Sequence, residues 1–324
     1  MTISIIGTGI YSLSLAFQIV KNGHKVKMWS ENEELVTNFN KNHTLPTIIK
    51  EQIPEDIIIS NNLGEVLENS DLIIIGTSAK YVRNICNNMK KNYNQTTPVC
   101  IASKGIENNT CSFLSDIVKE VLHAKYIAVI SGPTFAIDLI HYEPAALSVA
   151  SNSRKAIKTI NMALASKRLK LRDNNDIIGT EICGSIKNVI AIAAGILEGL
   201  GYSESTRAFL ITEALHDIKE LLKNLECNPK TILSFAGIGD LLLTCFSPKS
   251  RNYQFGVLIG KKESKETIDN YLETKTTEGY YTLLSIKELT KNRHIKMPII
   301  NLIYDIVINY KNPELLSEFL INKE

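Results

Sequence analysis

Two stretches in the second half of this 324-residue chain hold residues that could do chemistry. The first is GSIKNVIAIAAGILEGLG, residues 184–201, in which Lys187 stands at the head of a run that is otherwise small and apolar. Lysine is rarely buried without a partner or a task. Desolvation lowers its proton affinity, which suits a general acid near neutral pH. Helix context alone equally allows Lys187 to point outward from a helix end. The second is FAGIGDLLLTCFSPKSRNYQFG, residues 235–256. It sets a carboxylate, Asp240, on a glycine turn, follows it with Thr244, and brings Ser250, Arg251 and Asn252 just ahead of another helical run. An arginine with a hydroxyl and an amide at a helix start makes a phosphate cradle. On composition alone, Ser250 is also readable as an N-cap and Arg251 as a surface charge.

A third stretch lies near the N-terminus. In MTISIIGTGIYSLSLAF, Gly7 and Gly9 sit between a strand-like and a helix-like run, and Ser12 stands where G-x-G-x-x-G has its last glycine. Gly7 permits a tight turn. Gly9 lets the backbone approach a pyrophosphate, whose charge meets the N–H groups of the helix start. The third glycine normally allows close helix–strand packing, so Ser12 is expected to loosen that packing modestly. Alone the motif is weak, an ordinary strand–turn–helix being the alternative. The next strand ends in WSEN, with Glu31 roughly 20 residues past the glycines, where an acid holds the adenosine ribose 2′-hydroxyl. A carboxylate there repels a 2′-phosphate and favours NAD over NADP. A surface glutamate at a helix start is the alternative.

Elements that would position these residues follow from hydrophobic periodicity. Strands are expected at Ile3–Ile6, Lys25–Trp29, Asp56–Ile59, Asp71–Ile75, Val99–Ala102 and Tyr126–Ile130, and helices at Tyr11–Lys21, Leu63–Glu68, Tyr81–Met89 and Thr110–Leu122. The alternation predicts a mostly parallel sheet covered on both faces, which Ala146–Ala150 and Leu169–Leu171 could extend. Beyond Asn175 the texture is helical, with Ser185–Leu200, Thr206–Leu225, Tyr253–Ile259, Leu283–Thr290 and Asn301–Asn309 as expected helices. The polar segment Lys261–Asn270 reads as a surface turn or helix end. The division this predicts is residues 1–178, an α/β dinucleotide-binding domain of Rossmann type, and residues 179–324, an all-α substrate and catalytic domain.

With 36 basic and 34 acidic residues the net charge is +2, which gives no reason to expect nucleic acid or an anionic membrane as the main partner. No uninterrupted apolar run has the length of a membrane span, and no secretory signal is apparent. The six cysteines are scattered without a C-x-x-C, and the six histidines do not cluster. Free thiols in a reducing compartment and no metal are therefore expected, in a cytoplasmic protein.

Taken in order, GTGIYSLSLA, HTLP (His43–Pro46), DLIIIGTSA, ASKGIE, SGPTFA, IKNVIAIAAG, AGIGDLLLTC, SPKSRN and TTEGYYT resemble the bacterial-type NAD(P)-dependent glycerol-3-phosphate dehydrogenases over nearly the whole chain. The resemblance implies a fold like that of 6-phosphogluconate dehydrogenase, with the site in a cleft between a Rossmann-type half and a helical half. It implies reversible reduction of dihydroxyacetone phosphate to sn-glycerol 3-phosphate, supplying glycerophospholipid synthesis. Carried over by motif, Lys187 is the proton acceptor in oxidation and donor in reduction. Lys104 lies near nicotinamide and substrate, and Asp240 and Thr244 orient the reacting end. Gly132 and Thr134 border the substrate, and Ser250, Arg251 and Asn252 hold its phosphate. Gly7, Gly9, Ile10, Tyr11, Glu31, Lys104, Ala136, Arg251, Thr276 and Glu278 face the cofactor, NAD or NADP. A homodimer is an expectation of the resemblance alone.

Ile10, Ser12, Glu31, Thr44, Thr47, Glu213 and Thr276 depart from the family's usual residues. All but Glu213 bear on cofactor contacts or the nearby loop, so cofactor choice is less determined than reaction type. Two other readings remain: a related two-domain dehydrogenase acting on another hydroxy acid or sugar acid, and a non-catalytic dinucleotide sensor. The Ser250–Asn252 cradle opposes the first, and the second has no need of Lys187 and Asp240.

Overall fold

In the computed structural model, which describes residues 1–322, the chain separates into two units. One comprises Met1–Ser103 and Leu114–Ile177; the other comprises Lys104–Phe113 and Ile178 onward.

The first unit alternates β1 (Thr2–Ile6), α1 (Ile10–Lys21), β2 (Lys25–Trp29), α2 (Glu33–Asn42), β3 (Ile57–Ser60), α3 (Leu63–Leu67), β4 (Leu72–Ile75), α4 (Val82–Met89) and β5 (Val99–Ile101). It continues with α5 (Leu114–Leu122), β6 (Ile127–Ser131), α6 (Ala136–Ile140), β7 (Ala145–Ala150), α7 (Arg154–Leu164) and β8 (Leu169–Asn174). The strands form one sheet in the order β3-β2-β1-β4-β5-β6-β7-β8. Every neighbouring pair is parallel except β6 and β7. Alternate residues of a strand point to opposite faces. Accordingly Leu72 and Ile74 of β4 enter one apolar core, with Ile3 and Ile5 of β1, while Ile73 and Ile75 enter a second, with Val82 and Leu114. Burial on both faces is why the central strands read as unbroken apolar runs. The chain order reverses between β1 and β4, and the crevice beyond the strand ends there is where open α/β sheets bind ligands.

The second unit contains α8 (Ile177–Gly199), which begins at the junction, then α9 (Glu204–Asn224), α10 (Asp240–Cys245), α11 (Arg251–Gly260), α12 (Lys265–Thr274), α13 (Glu278–Asn292), α14 (Pro298–Val307) and α15 (Leu315–Asn322). Helix α8 is long and apolar enough to cross a membrane, yet 83% of its apolar window is buried inside the protein, the position of a core helix. It packs very closely on α11. A Cβ at Gly256 would run into the backbone of Ile192, one at Gly260 into Ile196, and ones at Gly195 and Gly199 into α11. Two glycines four residues apart on each helix thus let the backbones touch, which fixes the start of α11 relative to α8.

Three expectations change. Helix α8 begins well before Ser185, so Lys187 lies inside it rather than at its head. The polar segment around Lys261–Asn270 is mostly helix: Ser264 caps α12 by accepting from the Thr267 N–H at 3.2 Å, and Ile268, Tyr271 and Leu272 rest on the core at helical spacing. A single cut at 178/179 assigns residues 104–113 to the sheet unit, but they belong with the helices. Ile106 and Phe113 enter the helical core, and residues 110–113, expected in a helix, close this excursion instead.

Candidate active site

In the sheet unit, β1 ends at Ile6, directly opposite Trp29 of β2, and Gly7 donates its N–H to the Trp29 carbonyl at 3.0 Å. Gly7 has φ +110°, a conformation that side chains disfavour, and a Cβ there would press on Thr77 and Gly76. Gly9 is different. A Cβ at Gly9 would meet no protein atom within 4 Å, so the fold itself does not demand glycine there. Gly9 is also the N-cap of α1, whose first N–H groups open beside it. Thr77, after β4, has a buried hydroxyl without a hydrogen-bond partner among the described residues. Open space over a glycine, helix N–H groups and an unanswered hydroxyl at the sheet's switch point all fit a dinucleotide pyrophosphate.

Ser12 is 1% exposed and donates to the Gly76 carbonyl at 3.0 Å. A Cβ at Gly76 would collide with the Ser12 side chain. The room that the motif's third glycine normally provides on the helix is here provided on the strand side, and the serine gains a hydrogen bond. Ile10 is exposed, and the Tyr11 hydroxyl lies 3.3 Å from that of Thr134. Glu31 is exposed between the end of β2 and Asn32, the N-cap of α2. Ala136 opens α6. Gly132 has a packing reason of its own, since a Cβ would lie 2.6 Å from the Ala146 carbonyl oxygen of β7.

In the helical unit, a kinked glycine turn at residues 235–239 delivers Asp240. A Cβ at Gly237 would strike the backbone of Ile232, so that turn requires glycine. The Asp240 side chain is 1% exposed and its two oxygens are taken by two lysines: Lys104 Nζ donates to Oδ2 at 2.5 Å, and Lys187 Nζ to Oδ1 at 2.7 Å. Lys187 Nζ also donates to Thr244 Oγ1 at 2.9 Å, while the Thr244 hydroxyl donates back to the Asp240 carbonyl at 2.6 Å. Lys187 is therefore an inward-pointing lysine with its head fixed by two acceptors. Burial most strongly, then the neighbouring Lys104 ammonium, push its proton affinity down to about 8 against the pull of Asp240. Two ammonium groups sharing one carboxylate leave a local positive charge, suited to an oxygen on which negative charge develops.

Three helices meet beside this cluster. Asn188 of α8 accepts at its side-chain oxygen from Asn252 Nδ2 at 3.0 Å, and Asn252 Oδ1 accepts from the Gly279 N–H of α13 at 2.9 Å. A Cβ at Gly279 would lie 2.6 Å from the Asn188 carbonyl oxygen. The Asn252 side chain thus ties α8, α11 and α13 together. Ser250 is indeed an N-cap: its hydroxyl oxygen accepts from the Tyr253 N–H at 3.2 Å, and its carbonyl from the Gln254 N–H at 2.9 Å. Among the described residues, the backbone N–H groups of Arg251 and Asn252 are the open donors at the start of α11. The Arg251 side chain is exposed, and its carbonyl is held by the Tyr271 hydroxyl at 2.9 Å. Thr276 is exposed and Glu278 opens α13.

The structure therefore joins Lys104, Lys187, Asp240 and Thr244 by direct contacts, and Asn252 with Asn188 and Gly279. Ser250 and Arg251 make none of these contacts. Asn188 was absent from the sequence expectations. Its signal was available, as a polar residue next to Lys187 in an otherwise small and apolar helix, but its partner lies 64 residues away.

Residues 2–157 match the family model described as NAD-dependent glycerol-3-phosphate dehydrogenase N-terminus, and residues 176–318 match that described as its C-terminus. A Thermoanaerobacter protein named glycerol-3-phosphate dehydrogenase (NAD(P)+) is 35% identical over 97% of this chain and 94% of its own length. One of the same name from Oceanobacillus iheyensis is 31% identical over 99% and 94%. The crystal structure of glycerol-3-phosphate dehydrogenase from Coxiella burnetii superposes with a TM-score of 0.94 at 29% identity, covering 99% of each chain. Both halves match in order and the identity extends along the full length, so the chain belongs to the NAD-dependent glycerol-3-phosphate dehydrogenase family.

Proposed function

We propose that this protein catalyses the reversible NAD(P)H-dependent reduction of dihydroxyacetone phosphate to sn-glycerol 3-phosphate. The observation that carries the reading is the buried Lys104–Asp240–Lys187 cluster in a chain of this family. A bound nicotinamide supplies the hydride. The chain's own residues do the rest. Lys187 Nζ gives a proton to the carbonyl oxygen as charge builds there, and takes it back in oxidation. Lys104 adds positive field at the same oxygen. Asp240 and Thr244 hold the Lys187 head in one orientation. The N–H groups of Arg251 and Asn252, with the Arg251 guanidinium, anchor the phosphate remote from the reacting carbon, which supplies alignment rather than chemistry. The glycine turn at Gly7 and Gly9, with Ile10 and Tyr11, receives the dinucleotide, and Ala136, Thr276 and Glu278 border it. Placement in the cytoplasm, supply of glycerophospholipid synthesis and assembly as a homodimer rest on family membership alone.

Purified protein mixed with dihydroxyacetone phosphate is expected to oxidise NADH or NADPH, followed by absorbance. No turnover with either dinucleotide overturns the reading, and cofactor binding without turnover favours a sensor. Turnover only with a different hydroxy or sugar acid favours the related dehydrogenase.

Glu31 sets a further expectation. Its exposed carboxylate at the end of β2 supports a preference for NADH. The ratio of kcat/KM for NADH to that for NADPH is expected to exceed one, and Glu31→Arg is expected to lower it about tenfold or more, since it replaces repulsion of a 2′-phosphate by attraction. A wild-type ratio well below one rejects the assignment.

A further inference from the structure

Lys104 reaches Asp240 from a ten-residue excursion, Lys104–Phe113, that departs from the sheet unit after β5 and ends at α5. This strap is built into the helical unit. Ile106 and Phe113 pair in a short antiparallel bridge and both enter the helical core. Glu107 and Cys111 close its turn: the Cys111 N–H donates to the Glu107 carbonyl at 3.1 Å, and the Glu107 N–H to the Ser112 carbonyl at 3.0 Å. Ser285 of α13 supplies a polar anchor. Ser285 is 1% exposed; its hydroxyl donates to the Asn108 side-chain oxygen at 2.5 Å and lies 3.2 Å from the Ile106 carbonyl oxygen. The Cys111 thiol donates to the Ser285 carbonyl at 3.5 Å. Ser285 thus touches the strap on both sides of its turn, two residues beyond Lys104 and again at Cys111.

From this geometry we infer that Ser285 is a positioning residue for the reaction, holding the strap so that the Lys104 ammonium stays on Asp240 beside Lys187. The inference rests on the functional reading above, in which Lys104 and Lys187 act at the same oxygen. Deleting the hydroxyl leaves the half-buried Asn108 oxygen without this donor and removes the polar contact beside the Ile106 carbonyl, so the strap loosens where it was fixed. Lys104 then spends less time on Asp240. The groups facing Lys187 Nζ are Asp240 and Thr244 of α10 and Lys104 of the strap, with the buried Cys245 thiol close by. Withdrawing Lys104 removes a like charge and leaves Asp240 to Lys187 alone. Both changes raise the proton affinity of Lys187.

The test uses Ser285→Ala, Ser285→Thr, Lys104→Met and the double variant Ser285→Ala/Lys104→Met of the full chain. Ser285→Ala is expected to lower kcat for dihydroxyacetone phosphate reduction about tenfold, move the alkaline loss of activity to higher pH, and speed amide exchange over residues 104–113. Ser285→Thr, which keeps the hydroxyl, is expected to restore the wild-type pH profile. In the Lys104→Met background, Ser285→Ala is expected to cost little more, because the two residues act through one contact. Additive losses in the double variant, or unchanged exchange over 104–113 in Ser285→Ala, overturn the inference. A wild-type protein without turnover overturns the functional reading instead, and exchange over the strap still tests the anchor.

Discussion

Lys187→Met is expected to lower kcat for dihydroxyacetone phosphate reduction by about a thousandfold, the middle of the range for losing a positioned proton donor. Loss of folding does not explain such a fall. Methionine fills a similar volume in α8, and Asp240 keeps Lys104 on its other oxygen at 2.5 Å, so no buried carboxylate is left without a cation. The pH profile separates chemistry from packing. Burial and the Lys104 charge hold Lys187 at about 8, so its ammonium form predominates at pH 7. Reduction needs the ammonium form. Its rate is therefore expected to hold below pH 8 and to fall as pH rises through that value. Oxidation needs the neutral amine, and its rate is expected to rise through the same region. Lys187→Met is expected to abolish both limbs. A kcat within threefold of wild type, or limbs that persist in the variant, overturns the assignment.

Much of this site was legible in the sequence because its parts are local. The turn GTGIYS, the glycine turn before Asp240 and the Ser250 cap each depend on residues a few positions apart. Periodicity likewise marks the sheet, where β4 fills one core with Leu72 and Ile74 and another with Ile73 and Ile75. What was not legible depends on distant backbone. Ser12 is accommodated by Gly76, which the motif does not include. The strap carries Lys104 and lies between two elements of the sheet unit in sequence, yet its apolar residues complete the helical core. Helix α12 escaped notice because none of its residues is fully buried, and three half-buried contacts are too few to stand out from a polar run. The interhelical ties of the Asn252 side chain were likewise out of reach, because its position at a helix start is visible in the sequence while its partners on α8 and α13 are not.

That division of labour at the start of α11 sharpens the second large effect. Arg251→Ala is expected to raise KM for dihydroxyacetone phosphate about thirtyfold, consistent with one lost charge-assisted contact worth ~2 kcal/mol. The rise is expected in KM more than in kcat, because the phosphate is held in the ground state and in the transition state alike. The fold does not depend on this side chain. It is exposed, while Tyr271 holds the backbone carbonyl and Asn252 ties the helix start to its neighbours. Dihydroxyacetone, which lacks the phosphate, is expected to lose far less kcat/KM in Arg251→Ala than dihydroxyacetone phosphate does, any remainder reporting the place of Arg251 near the cofactor. Arg251→Lys is expected to recover only part of the affinity, since a point charge lacks the paired donors of the guanidinium. An unchanged KM rejects the phosphate contact. An equal loss toward dihydroxyacetone would move Arg251 from the phosphate to the cofactor side of the reaction, where it would act on every substrate alike.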